Sequence, residues 1–198
     1  MILFDRCLES VVDIAQKFNQ RKEIGVKYAT YFLIGSFCSD GDIHVAHMAK
    51  CPLPTSAGDA AGDALSQTLD DEWIADNAEK VTRILPGGIH IVGLTWFSDR
   101  GTYNLQKAML TRALARIQRT TNLLTTLSIG SVSDQMALVF VETPAGKPTG
   151  LIVDVVRRGP DSPTKVSFSP LEWVSVVSNA SAIVSLNVPI RQKQSHFF

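Results

Sequence analysis

The sequence predicts an α/β fold, a single domain in which one mixed β-sheet is flanked by helices. Stretches with apolar residues at three-and-four spacing interleave with β-branched runs along the chain. The second half is dominated by short strand-like runs split by Pro and Gly. The size, 198 residues with 45% hydrophobic and 19% charged, suits one ordinary globular domain.

Each element has its own warrant. In "DRCLESVVDIAQKFNQ", residues 5 to 20, Leu8, Val11, Val12, Ala15 and Phe18 form the apolar stripe of an amphipathic helix. "GVKYATYFLIGSF" and "DIHVAH", joined by an Asp-Gly turn, read as a β-hairpin over 25 to 48. Residues 52 to 69, "PLPTSAGDAAGDALSQTL", contain no basic side chain and too little apolar surface to pack, which predicts a mobile acidic surface loop. A helix then starts with Thr68 or Asp70 as N-cap, carries acids in its first turn and ends at Pro86-Gly87-Gly88. "IHIVGLTWF" is a strand, and residues 103 to 121 form a long helix burying Leu110, Ala113, Leu114 and Ile117. The strand candidates that follow are "MALVFVET", "GLIVDVVRR", "KVSF", "LEWVSVV" and "SAIVSLNVPI", with "PAGKPTG" and "RGPDSPT" as turns.

Composition excludes several classes of function. Net charge is zero, and although residues 1 to 100 hold 14 acidic and 9 basic side chains against 5 and 10 in 101 to 198, that asymmetry is too mild to point to nucleic acid. The longest apolar runs fall well short of a membrane span, and Asp5 and Arg6 interrupt any signal-peptide core. The three cysteines, Cys7, Cys38 and Cys51, are odd in number and form no Cys-x-x-Cys pair, which reads as a reducing compartment without structural zinc. His44 and His47, three apart on a strand, should point to opposite faces, and His90 alternates with Ile89 and Ile91. A Cys38–His90 nucleophilic pair has no local signature behind it. Arg112, Arg116 and Arg119 form a basic stripe with no matching acid nearby in sequence.

The stretch "RILPGGIHIVGLTWFSD", a turn and a strand feeding a long helix, resembles the core of the MPN (JAB) fold. In active members of that fold two histidines two apart bind zinc with an aspartate from the next helix, and a glutamate from an early strand activates the bound water. Counted from Gly93, the histidine positions fall on Trp96 and Ser98, the aspartate near Met109 and the glutamate near Tyr28. No acid occurs between Asp99 and Asp134. The resemblance therefore implies a pseudoenzyme with no catalytic residue, metal or cofactor.

More specifically, "DDEWIADNAEKVTRILPGGIHIVGL" and "YFLIGSFCSDGDIHVAHMAKCP" resemble the odorant response abnormal protein 4 family. That resemblance implies a non-enzymatic adaptor on the cytosolic face of the endoplasmic reticulum membrane. It would bind the cysteine protease specific for the ubiquitin-fold modifier, through that protease's MPN-like N-terminal region, and support maturation and trafficking of odorant (G protein-coupled) receptors. It also implies a C-terminal membrane anchor, which these residues do not contain. Candidate partner-binding residues are Val11, Val12, Ala15 and Phe18 on the first helix and Arg112 and Arg116 on the long one. Two other readings stay open: a receptor-folding chaperone that holds apolar segments, and a cryptic hydrolase.

Overall fold

The structure, a computed structural model, describes residues 1–18, 28–53, 70–125, 133–157 and 161–171. In chain order the elements are β1 (Ile2–Asp5), α1 (Leu8–Phe18), β2 (Tyr28–Phe37), β3 (Ile43–Lys50), α2 (Asp71–Thr82), β4 (His90–Ser98), α3 (Arg100–Thr125), β5 (Gln135–Glu142), β6 (Thr149–Asp154), β7 (Ser162–Thr164) and β8 (Val166–Ser169). This is the mixed α/β domain the sequence predicts. Strand β1 is an addition, too short to show a period, and it pairs parallel to both β3 and β8. Part of "RGPDSPT" is a correction, since Ser162–Thr164 pair with β6 rather than forming only a turn. The acidic spacer and the strand candidates after Leu171 lie outside the described residues, apart from Pro52 and Leu53 at the spacer's start.

All eight strands form one sheet in the order β7-β6-β5-β4-β2-β3-β1-β8. The two edge strands are neighbours in sequence, separated by Lys165 alone. A continuous segment can lie on both edges only if the sheet curls on itself. The side chains confirm the curl: a Cβ added at Gly150 of β6 would stand 2.8 Å from Val166 Cγ2 and 2.9 Å from Ile2 Cδ1, on the far side of the strand order. The amide of Ile2 also donates to the Lys165 carbonyl at 3.0 Å.

Curling divides the apolar residues into two cores. Inside the curve, Ile2, Phe4, Leu33, Val45, Phe97 and Val139 pack with Leu8, Val12 and Ala15 of α1. Outside it, Phe32, Leu94, Trp96 and Leu138 pack under Ile74 and Ala78 of α2 and Leu110, Ala113, Leu114 and Ile117 of α3. Strand β5 shows the division plainly, because Met136, Leu138 and Phe140 face one core while Ala137, Val139 and Val141 face the other. Helix α2 starts where the carboxylate of Asp70 accepts from the amides of Glu72 (2.9 Å) and Trp73 (3.2 Å). Gln16 ties α1 to the β5–β6 turn by donating to the carbonyls of Glu142 (2.7 Å) and Gly146 (3.1 Å).

Two β-bulges shift the alternation. Between β2 and β3, Ile34 faces His47 while Gly35 faces Val45, so Ala46 is extra. Val45 and Met48 consequently face the same inner core. His44 and His47 then share the outer face, which corrects the expectation of opposite faces. Between β2 and β4 the extra residue is Val92.

Candidate functional site

Beta-strand β4 leaves the Pro86-Gly87-Gly88 turn, where Gly88 takes φ 84°, and runs between β2 and β5 into α3. Its close packing depends on Gly93, where a Cβ would stand 2.1 Å from the Ala137 carbonyl oxygen. From Gly93 onward the outward residues are Leu94 and Trp96, both fully buried under the helices.

Trp96 is the centre of an aromatic row. Tyr28 stacks on it with ring centroids 4.4 Å apart and planes 16° off parallel. Across the parallel ladder Trp96 is in register with Phe140 of β5. Phe140 in turn stacks on Tyr103 of α3 at 4.2 Å and 19°. The polar edges are also satisfied: the Trp96 indole N–H donates to Ser98 Oγ at 2.7 Å, and that hydroxyl donates to the Asp99 carbonyl at 2.8 Å. Tyr28 lies directly opposite Ser98 in the β2–β4 ladder. Three of the four positions singled out from sequence, Tyr28, Trp96 and Ser98, are thus brought together. The fourth, Met109, half-buries against the same core with the Arg112 guanidinium against its sulfur.

This arrangement is a packed joint. A phenol, an indole and a neutral hydroxyl are not an ordinary zinc donor set, and the indole N–H and the hydroxyl are engaged with each other. The residues present therefore do not fit a zinc ion. Burial also raises the Tyr28 pKa above its ordinary value, with smaller contributions from Cys51 and Asp70, so the phenol stays protonated. The hollow beside it, lined by Tyr28, Thr30, Cys51, Pro52 and Trp73 among others, has about 10 Å³, the space of roughly one water. Among the described residues, Thr30 Oγ1 lies buried there without a hydrogen-bond partner. Among the described residues no group of three His, Cys, Asp or Glu side chains is placed to hold a metal.

The other candidates are distributed differently. Cys51 is buried, its thiol pushed up to about 11 by desolvation, and donates weakly to the Pro52 carbonyl, which also accepts from the Trp73 indole at 2.8 Å. Burial lowers the pKa of half-buried His90. On α1, Val12 and Ala15 face the protein's own core at 4% and 5% exposure and offer nothing to a partner. Val11 and Ile14 are apolar residues that α1 exposes among those described, Ile14 at 65%. Phe18 ends the helix, and its side chain lies outside the described residues. Arg116 has the acids that the linear sequence hides, since it pairs with Asp71 (2.8 Å) and Glu72 (3.1 Å) of α2. Arg112 is exposed on the same helix. Sequence reasoning missed the partners of Trp96, because Phe140 and Tyr103 come from segments that only the fold brings together.

Fold and site define a class: a mixed α/β domain in which the strand-to-helix junction is closed by stacked aromatics. The chain belongs to the ODR4-like family, described as odorant response abnormal 4-like, whose family model matches residues 31–197. Odorant response abnormal protein 4 of Caenorhabditis elegans is 48% identical over 193 residues, which is 96% of this chain and 41% of that protein. The chain thus spans about two fifths of that relative's length. Among solved structures, a Salinibacter ruber protein aligns with 84% of this chain and 90% of its own at 13% identity and TM-score 0.45. A Desulfitobacterium hafniense protein aligns with 85% and 93% at 8% identity and TM-score 0.43. Scores at that level establish no common fold. Among the described residues no helix is long and apolar enough to cross a membrane.

Proposed function

We propose that this chain is a non-catalytic, MPN-like scaffold that acts at the cytosolic face of the endoplasmic reticulum membrane in the maturation and trafficking of odorant-type receptors. Its partner in this reading is the cysteine protease specific for the ubiquitin-fold modifier, engaged through that protease's MPN-like N-terminal region. The observation that carries the non-catalytic part is the aromatic row. At the positions that the MPN resemblance would give to the metal and its water, Tyr28 and Trp96 stack and Trp96 donates to Ser98. Such a centre lowers no water pKa and aligns no nucleophile. Support for the receptor link is family membership and the name of the C. elegans relative.

A scaffold predicts a defined stoichiometric complex. Mixing the purified chain with the protease, followed by size-exclusion chromatography with light scattering, should give a one-to-one species. Its interface should bury on the order of 1,600 Å². Two unshifted peaks at micromolar concentrations of both proteins would sink the proposal of this partner.

A further inference from the structure

The segment from Asp161 to Ser169 serves both edges of the curled sheet, with Ser162–Thr164 on β6 and Val166–Ser169 on β1. It closes the curl, and it is lightly held. Among the described strands β7 and β8 alone contain no buried residue, whereas β4 is buried at every position from Ile91 to Ser98. Pro163, in the middle of β7, has no amide to give to a ladder. Val166 and Phe168 turn inward but stay only partly buried, Phe168 with its ring 5.4 Å from that of Phe4. At the start of the segment, Asp161 pairs with Lys107 of α3 at 2.6 Å.

The hydrogen bonds of β1 separate its two neighbours. On one side the amides of Ile2 and Arg6 donate to the carbonyls of Lys165 and Ser169, at 3.0 and 3.1 Å. On the other, the Met1 carbonyl accepts from the amide of Ile43 at 2.9 Å. Departure of the segment would break the first pair of bonds and leave the second side intact. Gly150 of β6 shows how tightly the seam is shut, because a Cβ there would stand 2.8 Å from Val166 Cγ2, 2.9 Å from Ile2 Cδ1 and 3.1 Å from the Thr164 carbonyl oxygen. Two of those three atoms belong to the segment, and a branched valine and a backbone carbonyl cannot swing aside as a long side chain would. Movement of the segment is what would relieve such crowding.

We propose that residues 161–169 are a releasable strap, which lifts from β1 and β6 as a unit while the rest of the sheet stays folded. Units that open locally are those with short ladders and little buried apolar surface, and this segment has both properties. Opening bares the facing edges of β1 and β6 together with Ile2 and Phe4, which are 0% and 1% exposed when the strap is down. The inference concerns a motion built into the fold and does not rest on the scaffold reading.

Native-state hydrogen exchange of the full chain, followed residue by residue by nuclear magnetic resonance, tests it. Corrected for intrinsic rates, the amides of Ile2 and Arg6 should exchange at least about a hundredfold faster than those of Leu94 and Trp96, while Ile43 keeps at least about tenfold more protection than Ile2. Gly150→Ala should wedge the seam and speed Ile2 and Arg6 by about fivefold or more relative to Leu94. A disulfide between Leu3→Cys and Ser167→Cys, direct partners in the β1–β8 ladder, made in a Cys7→Ser background, should slow Ile2 and Arg6 by about tenfold or more, and reduction should reverse the effect. Far-UV circular dichroism should match the parent in both variants. The proposal is overturned if Ile2, Arg6 and Leu94 share one exchange rate, because the segment then leaves only with global unfolding. It is overturned equally if Ile43 exchanges alongside Ile2, which is fraying of β1, or if either variant leaves the ratio to Leu94 unchanged.

Discussion

Replacing Trp96 by Ala removes the largest fully buried side chain among the described residues. The deletion leaves a cavity between β2, β5 and α3, and Trp→Ala changes in such cores cost about 3–5 kcal/mol. Loss of the 4.4 Å stack with Tyr28 adds to this, since such pairs contribute about 0.5–1.5 kcal/mol beyond their burial. In a chain of this length 1 kcal/mol moves Tm by about 2–4 °C, so Trp96→Ala should lower Tm by roughly 8–16 °C for about 4 kcal/mol. Trp96→Phe keeps a ring in the row and loses only the donor to Ser98, so it should cost about 1–2 kcal/mol. Urea unfolding followed by circular dichroism measures both, and a double-mutant cycle with Tyr28→Ala should return a coupling of about 1 kcal/mol. If Trp96→Ala costs less than about 1 kcal/mol, or if the coupling is zero, the row does not hold the strand-to-helix junction and the reasoning fails.

Three further outcomes follow from the geometry. Gly93→Ala should destabilise the fold by about 3 kcal/mol, the upper end for overpacking, because its Cβ would press within 2.1 Å of the Ala137 carbonyl; a Tm within 2 °C of the parent would contradict that packing. Native-state labelling with a thiol reagent at pH 8 should modify exposed Cys7 first and leave Cys51, whose thiol is pushed up to about 11, unmodified until urea unfolds the chain; early loss of Cys51 would show the core to be open. Because burial holds His90 below its ordinary value of 6.5, the unfolded chain takes up this proton first as pH falls. The His90 contribution is therefore intact above about pH 6.5 and is lost below it, down to the lower folded value. His90→Gln should flatten the stability profile in that window, and an unchanged slope from pH 6.5 to 5 would rule His90 out as its source.

Much of the fold was legible because its signals are local. The stripe of α3 shows in Leu110, Ala113, Leu114 and Ile117, all buried as their spacing implies. Of the two caps the sequence offered, Thr68 and Asp70, it is Asp70 that caps α2. Non-local features were not legible. Strand β1 is four residues long and is fixed by ladders to β3 and β8, distant in sequence. Closure at Lys165 depends on one segment serving both edges, which no window of sequence displays. His44 and His47 were misassigned because a bulge adds one residue to a period of two. At the site, counting from Gly93 found Trp96 and Ser98, but spacing could not reveal that they bond each other. The same limit applied to α1, where a five-residue stripe turned out to be wider than the face it buries, so Val12 and Ala15 pack inward while Val11 stays exposed.

The proposed scaffold works by binding, with its strand-to-helix junction closed by aromatics. Zinc content measures this most directly: the chain, purified without chelators and dialysed against micromolar zinc, is analysed by inductively coupled plasma mass spectrometry. With Tyr28, Trp96 and Ser98 engaged as described, zinc should stay below about 0.1 per chain. A value near one zinc per chain, lost together with stability on adding a chelator, would contradict the account.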